Sequence, residues 1–291
     1  MVFIYDIIKS RITDLLLSGL KGAFFMDTQV FAKKMRRYIL DEIYTAQSGH
    51  PGASLSIVDL LSVLYNEEMN VSADRADDEN RDRFVLSKGH ACPALYAALA
   101  LKGYIPVEDL KKFRNIDGYL EGHPDMKKIK GVDMSSGSLG QGISAACGMA
   151  LIGKRENRPY RVYTILGDGE TEEGQVWEAL MLAGHYKLDN LCVIIDHNNL
   201  QIDGKIQDVM NPEPFHEKLQ AFGFNVIKID GENPDRIRGA FKFAREHFGR
   251  PTAIIADTEK GHGVSFMAGD PAWHGKAPNK EQYKQAIKEV E

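Results

Sequence analysis

The sequence predicts an α/β fold, a doubly wound and mostly parallel sheet with helices on both faces. Short continuous apolar runs alternate with segments of helical periodicity along most of the chain. The chain has 291 residues, of which 43% are hydrophobic, and this is enough to bury a sizeable core. It contains no repeats, low-complexity tracts or long linkers, which favours one large domain.

The first half of the chain is predicted to be mainly helical. Apolar side chains recur every three or four positions at Phe31, Met35, Ile39 and Ile43, which predicts a helix that the Gly-Pro turn at 48–52 ends. Further helices are expected over 56–66, 91–102, 107–114 and 139–154, and a short strand over 83–87.

The second half alternates strands and helices more regularly. The predicted strands cover 162–166, 191–196, 226–229 and 252–256. The predicted helices cover 173–185, 214–222, 235–246 and 280–290. Short apolar strands that alternate with helices are typical of a parallel sheet covered on both faces.

Residues 1–25 are set apart as an N-terminal extension of unassigned role, and residues 26–291 form the predicted domain. Asp6, Lys9 and Arg11 interrupt any signal-peptide core in the extension. Two alternatives are an amphipathic helix that binds a partner and a leader produced by an upstream start, since Met26 opens a helical pattern. No stretch approaches the roughly 18–20 apolar residues of a membrane span, so no membrane contact is expected.

Charge and cysteine content exclude several classes of protein. Lys and Arg number 36 against 41 Asp and Glu, and no basic run is interleaved with aromatic residues, so no nucleic-acid partner is expected. Cys92, Cys147 and Cys192 are odd in number and widely spaced, which argues against a disulfide framework or a zinc site. Free buried thiols in a reducing, cytoplasmic compartment are the simpler interpretation.

Polar residues follow two consecutive predicted strands. Gly167-Asp168-Gly169-Glu170 follows the strand at 162–166, and Asp196-His197-Asn198-Asn199 follows the next strand. One helix separates the two, so a βαβ crossover brings both strand ends to the same edge of the sheet. The Asp168 carboxylate and the Asn198 carbonyl are hard oxygen ligands that suit Mg²⁺ or Ca²⁺. The neighbouring glycines and helix N-terminus favour phosphate oxygens as further ligands.

The histidines suggest proton transfer at the same edge of the sheet. Five of the nine adjoin glycine in tight turns, and a site that exchanges protons with a polyhydroxylated ligand would use such residues. These are His50, His90, His123, His262 and His274.

The motifs SGHPG, LSKGHA, GHP, GSLGQG, GDGETEEG, DHNNLQIDG and WHGK, in this order, resemble the transketolase family. The resemblance runs from about Met26 to the C-terminus and concerns only the N-terminal, thiamine-diphosphate-binding domain of that family. It implies a cofactor site for thiamine diphosphate and Mg²⁺, with Ca²⁺ as the alternative ion. It also implies transfer of a two-carbon ketol unit from a ketose phosphate to an aldose phosphate, as in the pentose phosphate pathway.

The resemblance also implies a role for each matching position. The metal would be bound by Asp168, Asn198 and the backbone carbonyl of Leu200. Protons would be handled by His50, His123 and His274, and Glu173 would lie in the carboxylate network at a subunit contact. The residues expected to contact the cofactor are His90, Gly137, Ser138, Leu139, Gly167, Asp168, Gly169, Glu170, Asn198, Lys260 and His274. His262 is not assigned a role.

In the transketolase family, the glutamate that activates the cofactor lies in the following domain of a neighbouring subunit. We therefore expect this chain to be the N-terminal subunit of a split transketolase, active with a C-terminal subunit in a dimer of heterodimers. A truncated fragment is the alternative. Two other classes remain open, an α subunit of a 2-oxo acid dehydrogenase and a non-catalytic, cofactor-binding regulatory subunit. SGHPG, SKGHA and WHGK argue against the dehydrogenase, and the complete set of metal ligands and histidines argues against the regulatory subunit.

Overall fold

The computed structural model describes residues 26–202 and 204–291. The extension at 1–25 therefore lies outside the described residues. The α-helices are α1 Thr28–Ala46, α2 Pro51–Leu55, α3 Val58–Val63, α4 Cys92–Leu101, α5 Gln141–Arg155, α6 Gly174–His185, α7 Ile206–Val209, α8 Phe215–Ala221, α9 Pro234–Glu246 and α10 Lys280–Val290. The strands are β1 Arg83–Leu86, β2 Val162–Gly167, β3 Leu191–His197, β4 Leu200–Gln201, β5 Gly204–Lys205, β6 Asn225–Asp230 and β7 Thr252–Asp257.

Five strands form a parallel sheet in the order β1-β2-β3-β7-β6. β3 lies at its centre, where Ile194 pairs with Ile165 of β2 on one side and with Ile254 of β7 on the other. Because all five strands run in the same direction, their carboxyl ends meet at one edge. β4 and β5 form a separate two-stranded antiparallel ribbon just after β3.

Helices cover both faces of the sheet, as predicted. Alternate residues of β3 point to opposite sides: Ile194 packs in a core with α1, α4 and α9, whereas Val193 packs in a second core with α5, α6 and α8. Strands buried on both faces read as continuous apolar runs, which is why they were recognisable in the sequence. The doubly wound α/β prediction is confirmed.

The local predictions differ from the structure in the first half of the chain. The helix expected at 56–66 is interrupted: α2 begins directly at Pro51, α3 follows, and a π-helical turn at Leu64–Glu68 ends it. The Gly-Pro turn follows the end of α1 as predicted, and Pro51 also starts α2, because proline needs no N–H donor at the first helical position. The segment expected as a helix at 107–114 is a 3₁₀ helix at Val107–Lys112. The β4–β5 ribbon and α7 were not predicted.

All three cysteines are buried and unpaired. No helix among the described residues is long and apolar enough to cross a membrane.

Candidate active site

A pocket of about 270 Å³ opens at the carboxyl edge of the sheet. Its walls come from segments that follow β1, β2, β3 and β7, together with the α1–α2 turn. Most of the predicted site residues line it: His50, His90, His123, Gly137, Leu139, Gly167, Asp168, Gly169, Glu170, Asn198, Leu200, Lys260 and His274. Ser138 and Glu173 are not among the lining residues.

The Asp168 carboxylate is almost completely buried at the end of β2. It accepts hydrogen bonds from the backbone N–H of Gly169 at 2.9 Å and of Asn199 at 2.6 Å. Burial, followed by the nearby Asp196 carboxylate, raises the pKa of Asp168 to about 6, although both backbone donors oppose the shift. No Lys, Arg or His of the described residues forms a salt bridge with it. A bound cation would supply the missing compensating charge.

Two further oxygen atoms lie in the same pocket as Asp168. The Nδ2 atom of Asn198 donates to Oδ2 of Asp196 at 2.8 Å, which fixes the orientation of the amide. Its Oδ1 accepts from the N–H of Leu200 at 3.1 Å, and the Leu200 carbonyl accepts from Nζ of Lys260 at 3.1 Å. One carboxylate and two carbonyl oxygens are a donor set that suits a hard divalent cation rather than a soft one.

Two glycines allow close approach to the backbone beside these oxygens. A Cβ atom on Gly169 would lie 2.8 Å from Cβ of Gln201, and one on Gly137 would lie 3.3 Å from the His123 ring. At Gly169 no larger residue fits without displacing the β4–β5 ribbon. Such bare backbone next to a cation site is suited to binding phosphate oxygens.

Three imidazoles meet at the other side of the pocket. The ring centroids of His50, His90 and His274 lie 5.1 to 5.5 Å from one another. Burial, followed by the charge of Arg114 at His50 and of Lys260 at His274, lowers the pKa of each of these two histidines to about 4. Burial and Lys88 hold the pKa of His90 well below its ordinary value.

These rings are therefore neutral near pH 7, when each carries one donor and one acceptor nitrogen. The Nδ1 atoms of His50 and His274 are buried and have no hydrogen-bond partner among the residues that the structure describes. Buried polar atoms are normally paired, so unpaired ring nitrogens beside a pocket are consistent with a polar ligand.

The turn between α1 and α2 positions His50. α1 ends with Gln47 in the left-handed conformation, and Gly49 has φ of 145°. A Cβ on Gly49 would lie 2.9 Å from Cγ1 of Ile43, so only glycine fits there without a shift. The chain then reverses at once into α2 at Pro51, which leaves His50 at the pocket.

Tyr96 fixes the backbone at His123 through hydrogen bonds. The Tyr96 hydroxyl lies 2.9 Å from the carbonyl oxygen of Glu121 and 3.1 Å from that of His123. Burial, followed by the charge of Arg114, lowers the pKa of His123. His262, the remaining glycine-adjacent histidine, does not line the pocket, and its Nδ1 lies 3.2 Å from Oε1 of Glu232.

Glu170 joins the two glycine-rich loops of the site. Its Oε1 accepts from the Ser87 hydroxyl at 2.5 Å and from the N–H of Gly140 at 2.8 Å, and its Oε2 accepts from the N–H of Gly167 at 3.1 Å. Burial raises the pKa of Glu170, and these donors oppose the shift. Its carboxylate thus fixes protein segments around the pocket.

Lys88 and Asp196 were not predicted as site residues, yet they form a buried ion pair, and Lys88 lines the pocket. The only sequence signal for Lys88 was its position after β1 within the LSKGHA motif. Lys260, which was predicted, is also buried, and burial followed by Lys88 lowers its pKa to about 8. Residues Gln201 and Ile202 of the unpredicted ribbon complete the wall beside Leu200.

Comparison with known proteins identifies the family of this chain. The family model described as "Transketolase, thiamine diphosphate binding domain" matches residues 27–290. The chain is 46% identical over 266 residues to 6-deoxy-6-sulfo-D-fructose transketolase subunit SqwG of Clostridium sp. (strain MSTE9). This alignment covers 91% of this chain and 97% of that protein. It is 39% identical to one of the subunits of an apulose-4-phosphate transketolase from Phocaeicola vulgatus, over 89% of this chain and 92% of that protein.

Among solved structures, transketolase from Campylobacter jejuni superposes with a TM-score of 0.86 at 35% identity. The match covers 91% of this chain and 43% of that one, so the chain spans less than half the length of that transketolase. The family match at 27–290 includes every segment that lines the pocket. The chain therefore belongs to the transketolase family, and it comprises the family's thiamine diphosphate binding domain.

Proposed function

We propose that this chain is the thiamine diphosphate- and Mg²⁺-binding subunit of a two-subunit transketolase, which transfers a two-carbon ketol unit from a ketose phosphate to an aldose phosphate. The observation that carries the proposal is the composition of one pocket. A buried carboxylate without a salt-bridge partner among the described residues, two carbonyl oxygens and three neutral imidazoles lie together at the carboxyl edge of the sheet.

In this proposal, Asp168, Asn198 and the Leu200 carbonyl bind the metal ion. Mg²⁺ is the preferred ion because it keeps open positions for phosphate oxygens, and Ca²⁺ is the alternative. The N–H groups around Gly169 and the Lys260 ammonium bind the diphosphate. The backbone of Gly137, Ser138 and Leu139 holds the aminopyrimidine end of the cofactor.

Thiamine diphosphate, when bound, supplies the carbon nucleophile that cleaves the ketose. The protein binds it, orients it and exchanges protons with the sugar hydroxyls. We assign that exchange to His50, His123 and His274, because a neutral imidazole can both accept and donate a proton near pH 7. His90 orients the cofactor beside them, and Glu170 holds the surrounding loops in place.

An assembly of two different subunits is supported by the relatives that match over nearly their whole length. Both are named as subunits of transketolases, and the substrates in their names are a sulfonated sugar and a sugar phosphate. We infer that this chain likewise acts on sugars with an anionic end group, and that a C-terminal subunit contributes the rest of the site. Glu173, exposed at the start of α6, is available for the carboxylate network of a dimer of heterodimers.

The experiment is to mix the purified chain with the C-terminal transketolase subunit of the same organism, thiamine diphosphate and Mg²⁺. Ketol transfer from a ketose phosphate to an aldose phosphate is then assayed for each of the two proteins separately and for the mixture. Activity that requires both proteins supports the proposal. Oxidation of a 2-oxo acid without ketol transfer would contradict it, and cofactor binding without any turnover would indicate a regulatory subunit.

A further inference from the structure

The Lys260 ammonium group forms a hydrogen bond with one of the proposed metal ligands, the backbone carbonyl of Leu200. Its Nζ donates to the Leu200 carbonyl oxygen at 3.1 Å, and the residue is only 3% exposed. Its stem is also held, because a Cβ on Gly52 would lie 3.0 Å from Cγ of Lys260. A carbonyl oxygen that is bonded to an ammonium group cannot bind a metal ion with the same lone pair.

The charges around Lys260 indicate which kind of ligand could draw its ammonium group away from the Leu200 carbonyl. Lys88 is paired with Asp196, but within the described part of the chain Lys260 forms no salt bridge with any carboxylate. Asp168 lines the same pocket and, among the residues that the structure describes, likewise lacks a cationic partner within salt-bridge distance. One positive and one negative side chain therefore lie near each other without being paired.

We propose that the Lys260 ammonium group takes the place of the metal ion at the Leu200 carbonyl, and that it leaves this carbonyl when a divalent cation and a diphosphate bind together. This inference rests on the proposed function. The metal ion takes the carbonyl oxygen, and the released ammonium group binds the diphosphate. Lys260 thus opposes binding of the metal alone, by repulsion and by competition for its ligand, and favours binding of the metal–diphosphate pair.

The consequence is a coupling between two ligands. When the diphosphate offers the ammonium group a better partner, the cost of releasing Leu200 is removed, and each ligand strengthens binding of the other. Without the positive charge, the metal ion should bind more tightly by itself, whereas the diphosphate should bind more weakly. Loss of folding would weaken binding of both ligands, whereas loss of the Lys260 charge should strengthen binding of the metal ion alone and weaken binding of the diphosphate.

The test compares the wild-type chain with Lys260→Met, which keeps the length of the stem and removes the charge. Binding of Mn²⁺ alone is measured by electron paramagnetic resonance. Binding of thiamine diphosphate at a buffered, saturating concentration of free Mn²⁺ is measured by calorimetry. We expect the Kd for Mn²⁺ alone to fall at least about threefold and the Kd for thiamine diphosphate to rise about tenfold or more.

Lys276→Met is the matched control. Lys276 is exposed, with its ammonium 5.0 Å from the Trp273 ring centroid, so the same charge is lost without contact to Leu200. Both dissociation constants should change less than about twofold, because exposed charges are screened by solvent and salt. Circular dichroism and urea unfolding show that each variant is folded, and Lys260→Gln replaces Lys260→Met if the latter is not.

The outcomes distinguish the inference about Lys260 from the metal site of the proposed function. If Lys260→Met binds Mn²⁺ alone with equal or lower affinity, or binds thiamine diphosphate as tightly as the wild type, the inference is wrong. The proposed metal site still stands in that case, provided that Asp168→Asn abolishes Mn²⁺ binding. If the wild-type chain binds no Mn²⁺ even with thiamine diphosphate, both the metal site and the inference are overturned.

Discussion

The Nζ atom of Lys88 lies 2.5 Å from Oδ2 of Asp196, and both side chains are almost completely buried. Asp196 also accepts from the hydroxyls of Ser56 at 2.8 Å and Thr258 at 2.5 Å, and from Nδ2 of Asn198. Burial would raise the pKa of Asp196, but Lys88 and the hydroxyls outweigh it, so the pKa is lowered. Together with Thr258, the pair connects the carboxyl ends of β1, β3 and β7.

Lys88→Met should destabilise the protein by about 3–5 kcal/mol, because it leaves a buried carboxylate without its counter-charge. Urea unfolding at pH 7 measures the loss. Lys154→Met is the matched control, since its bridge to Asp189 has the same 2.5 Å length but is partly exposed. That variant should lose less than about 1 kcal/mol. Equal losses in the two variants would contradict the importance of burial.

The strands of the sheet could be predicted to within about one residue, since burial on both faces leaves a continuous apolar run. Asp168 and Asn198 could be predicted too, because a single crossover helix forces their strand ends together. The Lys88–Asp196 pair could not. The two residues are far apart in the chain, and a lysine is buried only when the fold supplies its partner.

Other differences have equally local causes. The SGHPG segment ends α1 as predicted, but its proline is also the first residue of α2, which was not predicted. The β4–β5 ribbon has two residues per strand, too few for any periodicity to be visible. Glu42 lies on α1 beside the apolar residues at 39 and 43, and although charged residues are rarely buried, its side chain is almost completely buried.

Glu42→Met should stabilise the protein by about 1–3 kcal/mol at pH 7, since neither carboxyl oxygen of Glu42 has a hydrogen-bond partner in the described part of the chain. Burial, followed by the nearby Asp41 charge, raises the pKa of Glu42 well above its ordinary 4.5. The unfolded chain therefore releases this proton at lower pH than the folded one. Wild-type stability is lost as pH rises above 4.5, and the advantage of the variant should grow over that range.

Urea unfolding of the wild type and Glu42→Met between pH 5 and pH 8 measures this growth. Glu178→Met is the control, because Glu178 is exposed on α6. It should change stability by less than about 0.5 kcal/mol at every pH. A constant difference between Glu42→Met and the wild type across the range would show that Glu42 is ionised in the folded chain as it is in the unfolded chain, which contradicts the raised pKa.

Asp168→Ala should abolish metal-dependent binding of thiamine diphosphate, raising its Kd at least about 100-fold, because the only carboxylate of the proposed metal site is removed. Calorimetry with and without Mg²⁺ measures the effect. Asp117→Ala, at an exposed loop position, should leave the Kd unchanged. Unchanged affinity in Asp168→Ala would refute the metal assignment.

Gly169→Ala should raise the Kd for thiamine diphosphate by about tenfold, because the new Cβ would lie 2.8 Å from Cβ of Gln201 and force the ribbon that carries Leu200 to move. Gly174→Ala provides the same substitution at a position where a Cβ would meet no atom within 4 Å. Its Kd should match the wild type. Equal affinities in the two variants would mean that the ribbon adapts without disturbing the site.

His50 and His274 should make the protein sensitive to acid. The pKa of each is lowered from 6.5 to about 4, chiefly by burial. Between these values the unfolded chain binds more protons than the folded one, so stability is present above pH 6.5 and is lost as pH falls towards 4.

In urea unfolding between pH 7 and pH 4.5, His50→Asn and His274→Asn should each lose less stability than the wild type. His185→Asn, at the exposed last residue of α6, should lose as much as the wild type. Identical pH profiles for all four proteins would show that both rings already accept a proton in the folded state, and the proton exchange assigned to neutral imidazoles would then be wrong.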